Sequence, residues 1–393
     1  MSLHFDEYID RRNTNCLKHD FKKEKGYDED ILSLWVADMD FRAPKEVLEA
    51  IEKATKHGIF GYTEPKESYF KVLKKWFATS FDWEIKKDWL VKTPGVVYAL
   101  AAAIRSLTKE GEAVMIQQPV YYPFSEVVVE NNRKLVNNEL RYEKGKYSID
   151  FKDFEEKIKK EDVKIFILCS PHNPVGRVWK EDELRKIGEI CQRHQVYVLS
   201  DEIHCDFTYE GNKHLVYASL GKAFEEHSII CTAPSKTFNL AGLQVSNVFV
   251  PNPVIRKKLI AEIRITGYSQ LITLGLVARE AAYQYGAPWL EALKLYLKGN
   301  LAFVETFLEE KLPQIRLVKP EGTYLIWLDC TGLGLNGEEL EHFIVKEAKL
   351  WLDGGGMFGT ASDQFQRINI ACPRSVLEKA MKQLEKAVKK RGL

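Results

Sequence analysis

Two apolar rhythms alternate along the chain between residues 46 and 285. Val47, Leu48, Ile51 and Ala54 recur at the spacing of one helical face, which predicts a helix over 47–57. Unbroken apolar runs at 113–116, 165–169, 196–200 and 229–232 instead have the length of strands. They lack polar alternation, as expected of strands buried on both faces. Helical segments such as 181–194 separate several of them, and the apolar helix that Gly95 opens over 96–104 precedes the first. This order predicts an α/β fold whose mostly parallel central sheet is covered by helices on both faces.

One long helical stretch follows over 253–284, until Gly286-Ala287-Pro288 must break it. Beyond lies a second set of helices and strands, including an apolar run at 322–328. The last helix is expected to start at a capping box, Ser375 with Glu378, and to bury Leu377, Met381, Leu384 and Val388. The resulting expectation is a large domain over 46–285 and a smaller α+β domain built from 1–45 and 286–393. No internal repeat or low-complexity segment interrupts this plan.

Composition narrows the class without naming a function. Of 393 residues, 45% are hydrophobic and 29% charged, the balance of an ordinary globular protein. Fifty-seven basic residues against 56 acidic ones give no electrostatic reason to expect nucleic acid or an anionic membrane. The opening residues 1–7 lack a basic and then apolar leader pattern, and no apolar run reaches a membrane span of roughly 18 residues. Seven scattered cysteines without a C-x-x-C pair read as buried free thiols. The expected setting is the cytoplasm.

In parallel sheets ligands bind outside the carboxyl ends of the strands, which is where Tyr121, Asn173, Asp201 and Lys236 fall. Each has an ordinary reading. Asp201 could cap a turn, Asn173 could form an Asx-turn before Pro174, Lys236 could be a surface lysine, and Tyr121 could fill a core edge. Together they match the needs of pyridoxal phosphate. Such a cofactor requires a lysine amine to condense with its aldehyde, a carboxylate to keep its ring nitrogen protonated, and a donor for its phenolic oxygen. Pro94-Gly95-Val96-Val97, ahead of an apolar helix, offers free backbone N–H groups and a helix dipole for the phosphate.

Rival motifs are weaker. Gly354-Gly355-Gly356-Met357-Phe358-Gly359 formally matches G-x-G-x-x-G, yet no amphipathic helix follows it. A dinucleotide site is therefore not expected there. The run from Asp201 to Asp206 has metal-capable side chains, but alternation would send them to opposite faces and no second cluster has ligand spacing. No metal is expected. No H-E-x-x-H, G-x-S-x-G or Walker A motif is present.

Taken together, Gly61-Tyr62-Thr63, Pro119-Val120-Tyr121, Asn173-Pro174-Val175-Gly176, Asp201-Glu202-Ile203, Ser235-Lys236-Thr237 and Arg367-Ile368-Asn369 resemble the class I/II aminotransferase family of fold-type I pyridoxal phosphate enzymes. The resemblance spans nearly the whole chain. Within that family the chain looks most like the MalY/PatB branch of cystathionine β-lyases and cysteine-S-conjugate lyases. Leu34-Trp35-Val36-Ala37-Asp38-Met39-Asp40-Phe41, Ser200-Asp201-Glu202-Ile203-His204, Gly286-Ala287-Pro288-Trp289-Leu290 and Ala371-Cys372-Pro373-Arg374-Ser375 carry that narrower likeness.

The resemblance implies a homodimer with active sites at the subunit interface, where Tyr62 reaches the phosphate of the neighbour's cofactor. It implies that Arg367 grips the substrate carboxylate with help from the backbone near Ala37, a bidentate task suited to a guanidinium. It places Val96, Val97, Tyr121, Asn173, Asp201, His204, Ser235 and Lys236 around the cofactor, with Lys236, Tyr121 and Tyr62 as the candidate catalytic residues.

Three positions depart from the aminotransferase pattern. His204 stands where many transaminases carry a tyrosine, Gln244 where they carry a phosphate-binding arginine, and Ala233 where a hydroxyl residue is common, which leaves Ser235 as the hydroxyl. These departures favour a carbon–sulfur β-lyase acting on L-cystathionine or related cysteine thioethers over a transaminase. A regulatory interaction protein with residual lyase activity is the reading of a different class, and no charge pattern marks a partner surface.

Overall fold

The computed structural model describes residues 5–393; residues 1–4, part of the stretch read for a leader, lie outside the described residues. A seven-stranded sheet forms the centre: β1 (Leu90–Thr93), β2 (Ala113–Ile116), β3 (Lys134–Asn137), β4 (Val163–Cys169), β5 (Tyr197–Asp201), β6 (Ser228–Thr232) and β7 (Ser246–Phe249). Their spatial order is β1-β7-β6-β5-β4-β2-β3. All neighbours from β6 to β3 pair in parallel, and β7 alone runs antiparallel, to both β6 and β1.

The unbroken apolar runs follow from this burial. Val114, Ile165, Ile167, Leu199 and Ile229 pack one face against the helix Val96–Leu107. Met115, Phe166, Leu168, Val198 and Ile230 fill the other face, with Leu184 and Ile187 of the helix Glu181–Arg193 in the same core. A strand with helices on both sides has no solvent face, so period-two polarity disappears. Each such large side chain contributes roughly 1.5–3 kcal/mol by leaving water.

Two expectations of local structure are corrected. The stretch 253–284 is two helices, Pro253–Ile265 and Thr273–Tyr285, because the chain leaves the helix at Thr266 and Gly267 takes a left-handed φ of 76°. The final helix starts at Arg374 after Pro373, with no side-chain cap bond, so Ser375 already lies inside it and no Ser375–Glu378 box forms. Proline at the cap supplies a suitable extended backbone there without a hydroxyl acceptor. The break at Gly286 is as expected: one helix ends at Tyr285 and the next, Ala287–Lys311, carries Pro288 in its first turn.

A second, antiparallel sheet is formed by β8 (Arg316–Val318), β9 (Leu325–Asp329), β10 (Asp353–Gly354) and β11 (Phe365–Asn369), in the order β8-β9-β11-β10. The apolar run at 322–328 becomes a strand only from Leu325, since Thr323 adopts a φ of 68° in the preceding turn. Residues 32–41 form a strap between the sheets. Leu32 and Ser33 pair with Leu350 and Trp351. Further on, Asn369 Nδ2 donates to the carbonyls of Val36 and Asp38 (both 2.6 Å), and Asn239 bonds the backbone of Met39 and Phe41. Among the described residues, no helix is long and apolar enough to cross a membrane.

Candidate active site

The carboxyl ends of β1, β2, β4, β5 and β6 open onto one cavity of about 150 Å³. The predicted residues Ala37, Val96, Val97, Tyr121, Asn173, Asp201, His204, Ser235 and Lys236 all line it. They come together because parallel strands deliver their outgoing loops to the same edge.

Lys236 is carried on the helical turn Pro234–Thr237, directly after β6. Its Nζ donates to the carbonyl of Ala37 at 3.1 Å, so the strap closes over the amine. Burial, then the nearby Arg367 charge, lowers its pKa from 10.5 to about 8, against the opposing pull of Asp38 and Asp201. That shift makes a neutral, nucleophilic amine accessible near neutral pH.

Asp201 ends β5 with, among the described residues, one bond on its carboxylate, from the N–H of Ile203 to Oδ1 (3.0 Å). Burial raises its pKa to about 7 although Ile203 and Lys236 act in the other direction. A buried carboxylate so poorly compensated calls for a cationic N–H partner. The next residue turns away: Glu202 accepts from Ser200 Oγ (2.8 Å) and the Tyr217 N–H (2.9 Å) and pairs with His214. Asp201 and Glu202 therefore serve different environments, and among the described residues no cluster of His, Cys, Asp and Glu is arranged to hold a metal.

His204 returns to the cavity, its ring packed edge-on against Tyr324. Its Nδ1 is buried without a partner among the described residues, and burial drives its pKa well below the usual histidine value. A neutral imidazole with a free nitrogen can bond a cofactor or substrate atom. The Tyr121 N–H donates to the Asn173 carbonyl (3.0 Å), and burial holds the Tyr121 phenol protonated.

Asn173 and Arg367 act as a pair. Arg367 Nη1 donates to Asn173 Oδ1 (3.1 Å), which leaves the asparagine amide nitrogen as the group free to donate into the cavity. The second arm, Nη2, donates to the Trp35 carbonyl (2.9 Å) and to Asp353, while Nε has no partner. Arg367 is buried behind the cavity lining, on β11, and its charge is matched by Asp353 on the adjacent β10.

The helix Val96–Leu107 starts at Gly95 with no side-chain cap, so its first N–H groups face the cavity unsatisfied. A Cβ built on Gly95 would meet nothing within 4 Å, which marks open space where an anion can approach. Ser235, Ala233 and Gln244 line the same region, with Gln244 held in a left-handed conformation at φ 45°. Besides Arg367, which sits behind the lining, Tyr62 is the exception. It is 94% exposed and lies outside the cavity of its own chain.

The free helix N-terminus, the under-compensated Asp201, the desolvated Lys236 and the unpartnered His204 fit pyridoxal phosphate in charge and hydrogen-bonding type. Two contributors were not singled out by sequence. Tyr324 Oη donates to the same Ala37 carbonyl as Lys236 (2.8 Å), and Asp353 neutralises Arg367. Asp353 precedes the glycine run that drew attention as a false dinucleotide motif, and Tyr324 stood inside an apolar run. Neither position carried a local signal for the site.

The glycine run itself has a packing cause. A Cβ on Gly355 would lie 1.7 Å from the Ser362 carbonyl oxygen, and Gly359 has a φ of 156°. Tight turns replace the helix that a dinucleotide site requires.

Comparison with known proteins agrees with this geometry. Residues 29–384 match the family model for aminotransferase class I and II. The chain is 40% identical to cystathionine beta-lyase PatB of Bacillus subtilis, over 98% of this chain and all of the relative. It is 32% identical to protein MalY of Escherichia coli over 98% of both. Its fold superposes on cystalysin from Treponema denticola, whose crystal structure contains a pyridoxal 5'-phosphate cofactor, with a TM-score of 0.96 and 38% identity over the whole of both chains.

Proposed function

As this chain belongs to the aminotransferase class I and II family, we propose that its cavity binds pyridoxal phosphate and carries out carbon–sulfur β-elimination on L-cystathionine or a related cysteine thioether. The observation that carries the reading is the meeting of Lys236 and Asp201, from separate strand ends, in one desolvated cavity. The full-length similarity to a cystathionine β-lyase selects β-elimination among the reactions such a cavity supports.

When bound, pyridoxal phosphate supplies an aldehyde for the substrate amine and a protonated ring that stores the electron pair released from Cα. Asp201 Oδ2, which takes no bond from the described residues, would accept the ring N–H proton. Asn173 would donate its amide N–H to the phenolic oxygen, and the N–H groups of Val96 and Val97 with the Ser235 hydroxyl would hold the phosphate. Arg367 fixes the substrate α-carboxylate. Lys236 Nζ would take the Cα proton of the bound amino acid as general base, and the thiolate would leave from Cβ. Water then completes the products: thiol, pyruvate and ammonia. The Ala37 carbonyl orients Nζ within the cavity, and Tyr324 fixes that carbonyl.

A second copy of this chain is the fitting partner. Ile59, Phe60 and Tyr62 are exposed on the 58–66 connection, and Ile265 and Ile272 flank the neighbouring 266–272 connection. The two connections are tied by Thr63 Oγ1 to the Leu271 carbonyl (3.4 Å) and Thr273 Oγ1 to the Gly61 carbonyl (3.2 Å). An apolar surface of this kind is characteristic of an interface. There Tyr62 would reach the neighbour's phosphate, and Tyr62 and Tyr121 are the candidate proton donors to the leaving group. With the chain divided into 46–285 and 1–45 with 286–393, the cavity would lie between the strap of the smaller domain and the sheet of the larger. Seven free, buried cysteines suit a reducing cytoplasm.

Incubation with cystathionine, cysteine and cystine tests the reaction. Thiol and pyruvate should appear together without a keto-acid acceptor, in the sample whose cofactor absorbance is recorded. Keto-acid exchange that needs an acceptor, without pyruvate, would show a transaminase instead.

A further inference from the structure

The structure holds a second cavity, of about 620 Å³, which the proposed chemistry does not use. Consecutive residues face the two spaces: His204 lines the cofactor cavity, whereas Cys205 and Asp206 line the second. Trp76, Phe81, Tyr283 and Leu290 make its walls apolar. Its volume falls in the range of small-molecule sites, roughly 300–1,000 Å³.

Charge identifies the kind of ligand. Lys71, Lys75 and Lys213 stand around this cavity, and none forms an ion pair among the described residues, although the adjacent Lys74 pairs with Glu84 at 3.0 Å. Lys71 and Lys75 are four residues apart on the helix Glu67–Phe81, so their like charges face each other and disfavour the helix. An anion between them relieves that repulsion. A separate observation lies deeper: His214 lines the cavity, and its Nδ1 is buried without a hydrogen-bond partner.

The floor connects to the catalytic lysine. Asp206 accepts from Trp76 Nε1 (3.2 Å) and from Thr237 Oγ1 (2.6 Å), and Thr237 follows Lys236 on the same single helical turn. A ligand that displaces Trp76 or Asp206 therefore re-aims the turn that carries Lys236.

We propose that this cavity is an effector site for a small amphipathic carboxylate, its aromatic or apolar body against Trp76, Phe81 and Leu290 and its anion at Lys71 and Lys75. Occupancy is read by the active site through the Asp206–Thr237 bond. The binding itself is independent of the lyase reaction.

Titration calorimetry of the holoenzyme with indole-3-propionate, and with indole-3-propionamide as the neutral control, tests it. The acid should bind about tenfold or more tightly than the amide, and K71E/K75E should remove that preference while leaving activity without the probe unchanged. Leu290→Trp, which fills the space, should abolish binding. Saturating probe should change turnover by about twofold or more in the parent and not in Thr237→Val, which still binds. Absence of binding, or binding that survives both K71E/K75E and Leu290→Trp, overturns the site; the latter places the carboxylate at Arg367. Binding that leaves turnover unchanged overturns the effector role. Because heat of binding needs no turnover, a protein that binds the probe but cleaves no thioether fails only the lyase reading.

Discussion

Asp201→Asn separates what the cofactor needs from what the fold needs. In the cofactor-free protein the Asp201 carboxyl has a pKa near 7, against 3.8 for the exposed group, with burial as the first cause. The folded state thus holds this proton more tightly than the unfolded chain. Stability of the cofactor-free protein should fall as pH rises from about 4 to about 7 and level off above that window. The full pKa gap corresponds to a ceiling on the order of 4 kcal/mol.

Asparagine keeps the shape and the acceptor for the Ile203 N–H but has no charge to desolvate. Cofactor-free D201N should therefore be more stable than the parent above about pH 7, by up to that ceiling, and similar near pH 4. With cofactor the order reverses, because the charge-assisted bond to the ring nitrogen is gone; affinity should drop by about 100-fold. Urea melts of both stripped proteins near pH 4 and pH 8.5, with a cofactor titration on each, measure all three effects. A parent whose stability does not decline across that interval, or a D201N protein that declines in parallel, refutes the reasoning.

Lys236→Ala should lower β-elimination by about a thousandfold or more and leave the cofactor without the absorbance of its covalent linkage, as seen by spectra and pyruvate release. Arg367→Lys should reduce kcat/KM by about 50-fold, mostly through KM, because a single ammonium cannot serve Asn173, Trp35 and a carboxylate together; steady-state kinetics with cystathionine check it. Gly355→Ala should destabilise the protein by about 3 kcal/mol or more, since its Cβ would meet the Ser362 carbonyl at 1.7 Å; thermal melting measures this.

Local features of the fold were legible because they leave periodic traces. The run at 113–116 is a strand with those bounds, and the others shift by one or two residues at their ends. Ends move because hydrogen-bond partners, not apolarity, decide where pairing stops. The helix break at Thr266–Gly267 was hidden by apolar residues on both sides, and the expected capping box failed because a proline already set the turn.

Sequence by itself determined the alternation of strands and helices, and with it the delivery of Tyr121, Asn173, Asp201 and Lys236 to one sheet edge. It also determined the chemical kinds present there: an amine, a carboxylate, an amide and a free helix N-terminus. Tertiary structure alone decided how those groups are tuned. The fall of Lys236 toward pH 8 and the rise of Asp201 toward pH 7 come from desolvation, which no residue shows in isolation. The pairing of Arg367 with Asp353, and of Tyr324 and Lys236 with the Ala37 carbonyl, joins positions from different elements. Periodicity records what a residue's near neighbours require; burial and long-range contact depend on how the whole chain closes around it.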